Sequence, residues 1–155
     1  MQEPSEIFFF SENQPYFFFS NFSKHPVDYD GKTYPTAEHL YHAFKFLGHR
    51  PDIAEYIRTY SPKPKAAKSQ ARRYKSEQRE DWIKVSIEKM DIVLRQKFTQ
   101  HPVLKQELIE TGNAELFENS KFDSFWGTGP DGLGRNELGK ALMRLRAHFQ
   151  QNNGI

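Results

Sequence analysis

The chain has 155 residues, with 22 Lys and Arg against 20 Asp and Glu, a net charge of +2 and no cysteine. This length suits one domain, and a charge so close to balance does not indicate a surface that binds nucleic acid or membranes in general. The lack of cysteine excludes disulfides, thiolate nucleophiles and zinc sites built on cysteine.

No targeting segment is predicted. The first basic residue is Lys24, so no positively charged region precedes the apolar residues 7–10, and no small-residue cleavage site follows them. No apolar run approaches the ~20 residues needed to span a bilayer. We expect a cytoplasmic protein, or a nuclear one in a eukaryote, with no membrane partner.

The predicted elements begin with two aromatic runs, residues 7–10 and 16–19, which are predicted as strands on either side of a turn. Seven of the 14 Phe lie before residue 23, and we expect them on the sheet side of the core. A β-hairpin is predicted over residues 27–34, because Asp30-Gly31 supplies the positive φ angles of a tight turn.

Helical spacing governs the rest of the chain. The first predicted helix begins after Thr36 as its N-cap and stops at Gly48. Further helices are predicted over 52–60, from about residue 65, over about 79–98 and over 102–110. A short strand at 116–117 and a last helix from about residue 136 complete the chain. Tyr60 and Ile83 are predicted to face inward, and residues after Gln150 to form a frayed tail. With no repeat and no linker, the predicted fold class is α+β: a compact, mainly helical single domain over residues 1–155, its core at about 7–150, with small N-terminal β-hairpins.

Two glycine patterns near the C-terminus resemble nucleotide-binding loops. Residues 127–132 fit G-x-G-x-x-G, but Pro130 and Asp131 prevent an early helix, so a Rossmann site is not expected. Residues 134–141 differ from a phosphate loop at Ala141, which replaces the magnesium-binding hydroxyl. A glycine-rich turn that opens a helix still presents free N–H groups to a phosphate or a sugar.

Three groups of residues carry possible chemistry. Glu38, His42 and Lys45 fall on the helix face opposite Leu40, which is either a solvated face or one that brackets a ligand. The run 63–75 holds six Lys or Arg and no acid, and is either solvated surface or a phosphate-steering rim for a nucleotide or nucleic acid. Residues 122–127 set Asp123 among three aromatic residues, either as a turn or as a stacking site with a carboxylate. No metal-ligand spacing occurs, so neither a metal nor a cofactor is expected.

Four motifs in order resemble the NADAR superfamily, which includes the YbiA-like N-glycosidases. They are Phe19-Ser20-Asn21-Phe22, the helix motif from Thr36 to Phe46, Asp123-Ser124-Phe125-Trp126-Gly127-Thr128-Gly129 and the segment from Gly132 to Arg146. The resemblance implies a compact, mainly helical α+β fold and an activity on ADP-ribose or ribose-phosphate N-glycosides. One substrate class is ADP-ribosylated guanine, in DNA or as the free base derivative. The other is the phosphoribosylamino-pyrimidine intermediates of riboflavin synthesis.

The resemblance also implies the site residues. The expected catalytic residues are Glu38, Lys45 and Asp123. The expected substrate-binding residues are Ser20, Asn21, Phe22, His39, Tyr41, Trp82, Phe125, Trp126, Gly127, Gly129, Gly134 and Asn136. We expect a monomer whose partner is the N-glycoside substrate, including ADP-ribosylated DNA.

Two routes and one rival function stay open. Glu38 or Asp123 can stabilise a cationic sugar and activate water or donate a proton. Alternatively, a neutral Lys45 amine can attack C1 and hold the opened ribose as an imine, which requires a depressed lysine pKa. The rival function is a non-catalytic reader of ADP-ribose or nucleotides, which has no need for a carboxylate together with a lysine.

Overall fold

The computed structural model describes residues 5–153. Its elements are, in chain order, β1 (Glu6–Phe9), β2 (Val27–Tyr29), β3 (Lys32–Tyr34), α1 (Ala37–Ala43), α2 (Pro51–Thr59), α3 (Pro64–Arg73), α4 (Trp82–Gln100), α5 (Pro102–Glu110), β4 (Glu115–Glu118) and α6 (Glu137–Asn153). These elements confirm the mixed, mainly helical α+β class. Within the described residues, no helix is long and apolar enough to cross a membrane.

The described chain divides into two compact units, residues 5–20 with 101–153 and residues 21–100. In the first, β1 pairs in parallel with β4, and Ile7 lies opposite Leu116. Helix α6 packs on β4, and α5 packs on α6. The side chain of Asn136 joins the strand to the helix, because its Oδ1 accepts from the Glu118 N–H at 2.9 Å and its Nδ2 donates to the Leu116 carbonyl at 2.8 Å.

In the second unit, α1 packs against α2, α3 and α4. The antiparallel hairpin of β2 and β3 turns at Asp30 and Gly31, whose φ angles of +51° and +79° confirm the predicted tight turn. Thr36 is the N-cap of α1, as predicted, because its side chain accepts from the His39 N–H. This unit positions most of the ionisable groups that the sequence singled out.

Helix α1 is shorter than predicted and ends at Ala43. After it the chain forms tighter turns, in which the Lys45 N–H donates to the His42 carbonyl and the Phe46 N–H donates to the Ala43 carbonyl. A continued helix would point Phe46 away from the Leu40 side, whereas Phe46 is fully buried. The rewound turn therefore buries Phe46, and Lys45 lies in this turn rather than on the helix.

Four other predictions are wrong. Residues 17–19 form a short 3-10 helix, not a strand, because Tyr16 has a φ of +67° and β1 pairs with β4 instead of a neighbouring strand. Of the N-terminal Phe residues, Phe8 is 50% and Phe10 39% exposed, since their side chains lie on the outer face of β1. Tyr60 and Ile83 are exposed, the latter because α4 buries Trp82 instead. The tail after Gln150 continues α6 to Asn153, and Gln150 Nε2 holds it by donating to the Gly112 carbonyl.

The prediction of one domain over residues 1–155 stays a prediction. Residues 1–4 and 154–155 of that range lie outside the described chain. The predicted bounds of α2 and α5 are confirmed to within a residue. Both helices begin at a proline, which has the fixed φ angle of a first helical position.

Candidate active site

Glu38 is a buried carboxylate in the first turn of α1. Its Oε2 accepts from His42 Nε2 at 2.9 Å, one helical turn along, and its backbone N–H donates to the Asn21 carbonyl. Burial raises the pKa of Glu38, but its interaction with His42 and the Lys68 and Lys45 ammonium groups outweigh that effect, so the pKa lies below its usual value. Glu38 is therefore an anion at neutral pH.

His42 holds this carboxylate in place. Burial lowers the pKa of His42, and Lys45 and Lys68 lower it further, although Glu38 opposes them. A neutral ring then donates its Nε2 proton to Glu38, and Nδ1 is left as an acceptor. Among the described residues, this buried Nδ1 has no hydrogen-bond partner.

Lys45 lies under two aromatic rings. Its Nζ is 5.5 Å from the centroid of Tyr41 and 5.6 Å from that of Trp82, and the two rings meet edge to face. Burial lowers the pKa of Lys45 from 10.5 to about 8; Glu38 opposes this, while Lys75, Lys68 and Arg72 add to it. Partial burial and the nearby cations both favour the neutral amine.

The face of α1 that carries Glu38 and His42 is thus buried, which excludes the solvated-face alternative for these two residues. Only 8% of Glu38 and 5% of His42 is exposed. A buried carboxylate, a neutral imidazole and a lysine with a depressed pKa lie along eight residues of chain. Such a group is typical of a catalytic site rather than of a stabilising surface pair.

Asn21 supplies a further buried acceptor in the same unit. Its Nδ2 donates to Met90 Sδ at 3.3 Å, while its Oδ1 has no partner among the described residues. Its backbone carbonyl also accepts from the Glu38 N–H. Because buried polar atoms are nearly always hydrogen-bonded, the Asn21 Oδ1 and the His42 Nδ1 suit donors of a bound ligand or water.

His39 has a structural role that the sequence did not indicate. Its Nδ1 bonds to the Thr36 hydroxyl and its Nε2 to the Ser61 carbonyl, each at 2.8 Å. Both ring nitrogens are engaged by protein groups, so its predicted contact with substrate would have to use the ring face or edge.

Asp123 and the two aromatic residues after it lie in the other unit. The Asp123 Oδ1 accepts from the backbone N–H groups of Phe125 and Trp126 at 2.9 and 2.8 Å, which closes a turn. The Phe125 and Trp126 rings meet edge to face at 4.9 Å, and the Arg135 guanidinium lies 4.7 Å from the Phe125 centroid. Both proposed roles of Asp123, turn and carboxylate site, therefore stay open, since Oδ2 is outside the turn.

The glycines predicted to bind substrate have packing reasons of their own. A Cβ on Gly127 would lie 2.8 Å from the Glu118 carbonyl oxygen, and one on Gly134 would lie 2.5 Å from the Gly127 carbonyl oxygen. Gly129 has a φ of +74°. Asn136, also predicted to bind substrate, uses its amide to join β4 and α6. Their contacts with substrate stay predictions.

The remaining predicted residues flank the boundary between the units in sequence. Ser20 is buried, and its N–H donates to the Phe17 carbonyl. Phe22 is half-buried. His42, which the sequence placed on the polar face without a role, is the residue that sequence reasoning missed, and its i,i+4 spacing from Glu38 was the available signal.

The NADAR domain family matches residues 8–150 of the chain. The chain is 41% identical over 140 residues to the N-glycosidase YbiA of Escherichia coli (strain K12), covering 90% of this chain and 86% of YbiA. It is 36% identical over 152 residues to a riboflavin biosynthesis protein of Vibrio vulnificus (strain YJ016), covering 98% of this chain and 40% of that protein.

The fold agrees with these matches. The NMR structure of the E. coli protein YbiA superposes with a TM-score of 0.87 at 38% sequence identity, covering 99% of this chain and 89% of that one. Sequence motifs, family match and fold all point the same way. The chain belongs to the NADAR domain family.

Proposed function

We propose that the protein is an N-glycosidase that hydrolyses a ribosyl C1–N bond, with Lys45 as the attacking amine. The observation that carries this proposal is the half-buried Lys45 amine beside the Tyr41 and Trp82 rings, with its pKa lowered to about 8. The N-glycosidase name of the E. coli relative supports the same reaction.

The lowered pKa makes Lys45 a usable nucleophile. At pH 7 roughly a tenth of a lysine with a pKa of about 8 is neutral, roughly 300-fold more than at the ordinary value of 10.5. Only the neutral amine can attack a sugar carbon and form an imine. The environment of Lys45 therefore meets the requirement that the sequence left open.

The proposed reaction consumes one water. The Lys45 nitrogen bonds to C1, the C1–N bond breaks, and its electron pair leaves on the base nitrogen, which takes up a proton. The bonded amine gives one proton to the departing base and the other to the ring oxygen as the C1–O bond of the ring breaks, which leaves an imine. Water then adds to this carbon and releases the free sugar and the lysine.

Glu38 assists as an anion. Since its pKa lies below the usual value, it is not a proton donor at neutral pH. It is suited instead to stabilise positive charge at C1 and to accept a proton from the attacking amine. His42 keeps the carboxylate oriented through the 2.9 Å hydrogen bond. Asp123 is the second proposed carboxylate, acting through the oxygen that its turn does not use.

Two substrate classes are proposed. The family resemblance puts ADP-ribosylated guanine first, in DNA or as a nucleotide or base derivative. The name of the Vibrio relative favours the second class, the phosphoribosylamino-pyrimidine intermediates of riboflavin synthesis. In both, a ribose that carries phosphate is bonded through C1 to a nitrogen.

A non-catalytic reader is the alternative function. A reader gains affinity from aromatic faces and cations, but has no use for a buried carboxylate or for a neutral amine. Burial of Glu38 and the lowered Lys45 pKa cost stability and add nothing to such binding. These two groups therefore favour the enzyme.

The test is product formation. The protein is incubated separately with an oligonucleotide bearing ADP-ribosylated guanine and with the phosphoribosylamino-pyrimidine, and products are identified by mass spectrometry. Release of the free base and the free sugar phosphate or ADP-ribose from either substrate supports the proposal. Tight binding of both compounds without release would assign the protein as a reader.

A further inference from the structure

A long stretch of the second unit carries positive charge without compensation. From Thr59 to Ser76 the chain has no acidic residue and six Lys or Arg. Helix α3 lies at its centre. Lys68, Arg72 and Lys75 are exposed, and none of them has an ion pair among the residues that the structure describes.

Three of these cations are neighbours along α3 and the turn after it. Lys68 and Arg72 are four residues apart on α3, so their positions lie about 40° from one another at about 100° per residue, and Lys75 follows in a 3-10 turn. Ala67 and Ala71 are buried beside them, where α3 packs against α1. We call Lys68, Arg72 and Lys75 the α3 cation face.

This face lies next to the candidate nucleophile. Each of its three members lowers the pKa of Lys45 through its charge, and Lys68 also lowers that of Glu38. Charges act at such strength only over short distances, because solvent and salt screen them beyond ~10 Å. A ligand anion on this face would therefore be held close to Lys45.

We propose that the α3 cation face binds the phosphate group of the substrate's sugar and so selects phosphorylated N-glycosides over unphosphorylated ones. Like charges gathered without acids repel one another, and a dianion relieves that repulsion. Lysine and arginine are the side chains that bind phosphate, arginine through two parallel hydrogen bonds. The catalytic consequence rests on the proposed function; the binding itself does not.

A small phosphorylated ligand suits the face better than a polynucleotide. The rise of 1.5 Å per residue puts Lys68 and Arg72 about 6 Å apart along the α3 axis, and Lys75 follows three residues later, so the face suits one or two phosphate groups. Proteins that follow a nucleic-acid backbone need a longer basic groove, whereas this chain has a net charge of only +2. The nucleic-acid alternative is an outcome of the test below.

The test measures binding without turnover. Ribose 5-phosphate, ribose and inorganic phosphate are titrated into the protein at 0.15 M salt by calorimetry or by amide chemical shifts. Arg72→Gln and Lys68→Gln remove members of the face, and Arg73→Gln is the matched control. Arg73 is the next residue, about 100° around the helix, with its guanidinium over the Tyr74 ring.

Ribose 5-phosphate is expected to bind at least tenfold more tightly than ribose. Arg72→Gln is expected to lower the affinity for ribose 5-phosphate about tenfold and Lys68→Gln several-fold, because each loses a charge-assisted hydrogen bond. The affinity for ribose should not change in either variant. Arg73→Gln should stay within twofold of the wild type.

Three results would overturn the proposal. If Arg72→Gln and Arg73→Gln weaken the binding of ribose 5-phosphate equally, the phosphate is attracted by the general positive potential of α3 rather than bound at a defined site. Equal affinity for ribose and ribose 5-phosphate would mean that phosphate is not recognised. An unmodified single-stranded oligonucleotide that binds more tightly than ribose 5-phosphate, and is lost in the same variants, would assign the face to a polynucleotide. Each result is readable even if the protein cleaves neither proposed substrate.

Discussion

Two regions of the molecule carry the family motifs, and they use their residues differently. The α1 region, residues 36–45, holds a buried carboxylate, a buried imidazole and a half-buried lysine whose pKa values depart from the ordinary ones. The glycine-rich segment, residues 119–136, has Gly127 and Gly134 in close backbone contacts and its Asp123 engaged in a turn. A family motif rich in glycine and aromatic residues is therefore not by itself evidence of a catalytic role.

The physical difference is one of cost. Burying an ionisable group costs stability unless it is paired, so a fold retains such a group where it serves a purpose other than packing. A glycine in a close backbone approach costs little, since it is the residue that fits. We therefore expect the largest activity effects in the α1 region and the largest stability effects in the glycine-rich segment and the elements that it joins.

The largest effect is expected at Lys45. Arginine keeps the charge but does not lose its proton, so Lys45→Arg should lose about 1,000-fold or more in kcat, as Lys45→Ala should. Sodium borohydride added during turnover should reduce the imine and leave a sugar adduct on Lys45 of the wild type. Mass spectrometry of the intact protein and of its peptides detects the adduct.

The matched control is Lys89→Arg, because the Lys89 Nζ also lies over an aromatic ring, 5.4 Å from the Phe44 centroid. It should turn over substrate as the wild type does and form the same adduct. Substantial activity in Lys45→Arg, with no trapped adduct, would return Lys45 to a binding role and leave Glu38 and Asp123 to activate water.

Glu38→Gln is expected to be the next most damaging change. Glutamine can still accept the His42 hydrogen bond, so the fold is kept while the negative charge is lost, and kcat should fall about 100-fold. Because Glu38 raises the Lys45 pKa, its removal should also move the pH midpoint of the remaining activity downward.

Glu55→Gln is the control for this charge loss. Glu55 pairs with Lys32 and Arg58 on the same unit and is about half-exposed, so its loss should cost little. Wild-type turnover in Glu38→Gln, measured beside that control, would remove Glu38 from the mechanism.

The sequence predicted the elements whose signals are local. Pro51 and Pro102 mark helix starts and Asp30-Gly31 marks a hairpin, and all three signals lie within the element that they define. The pairing of β1 was not predictable in this way, since β4 lies more than a hundred residues later. Residues 16–19 were misassigned for the same reason, because aromatic content predicts a strand but not its partner.

The site was predictable in its residues but not in its environment. Helical spacing put Glu38, His42 and Lys45 on one side, yet spacing alone does not tell which elements cover that side. Helices α2, α3 and α4 all pack against α1, and this packing joins segments that are separated in sequence. Lys97 illustrates the same limit: it is fully buried and donates to the Ser23 hydroxyl at 2.8 Å, with no signal in the sequence.

Gly139→Ala tests the expected effect on stability in the elements that the glycine-rich segment joins. A Cβ there would meet the Leu116 carbonyl and the Asn136 side chain, the contacts that join α6 to β4. We expect a loss of about 2–3 kcal/mol in the free energy of unfolding, as for other overpacked sites. Gly48→Ala is the control, since its Cβ would meet no atom within 4 Å. Urea unfolding measures both, and equal stabilities would contradict the packing role.

Asp123→Asn tests whether the glycine-rich segment also contributes chemistry. Asparagine keeps an oxygen for the Phe125 and Trp126 N–H groups, so the turn and the melting temperature should stay. If the second carboxylate oxygen serves the reaction, as the family motif predicts, kcat should fall about tenfold from the lost charge. Unchanged kcat would make Asp123 a turn residue only and widen the contrast between the two regions.

The smallest effect concerns the influence of the α3 cation face on the pKa of Lys45. Activity should rise with pH as Lys45 loses its proton, with a midpoint near its pKa of about 8. Lys75 lowers that pKa, so Lys75→Gln should move the midpoint upward and reduce turnover of an unphosphorylated substrate at pH 7 by roughly twofold. High salt should shrink the difference in pH midpoint between variant and wild type, because it screens an exposed cation.

Lys84→Gln is the control, because Lys84 is an exposed lysine of α4 that is not among the charges that shift the Lys45 pKa. It should leave the pH midpoint unchanged. Activity that falls, rather than rises, with pH through this midpoint would mean that the protonated lysine is the active form, which is incompatible with an imine route.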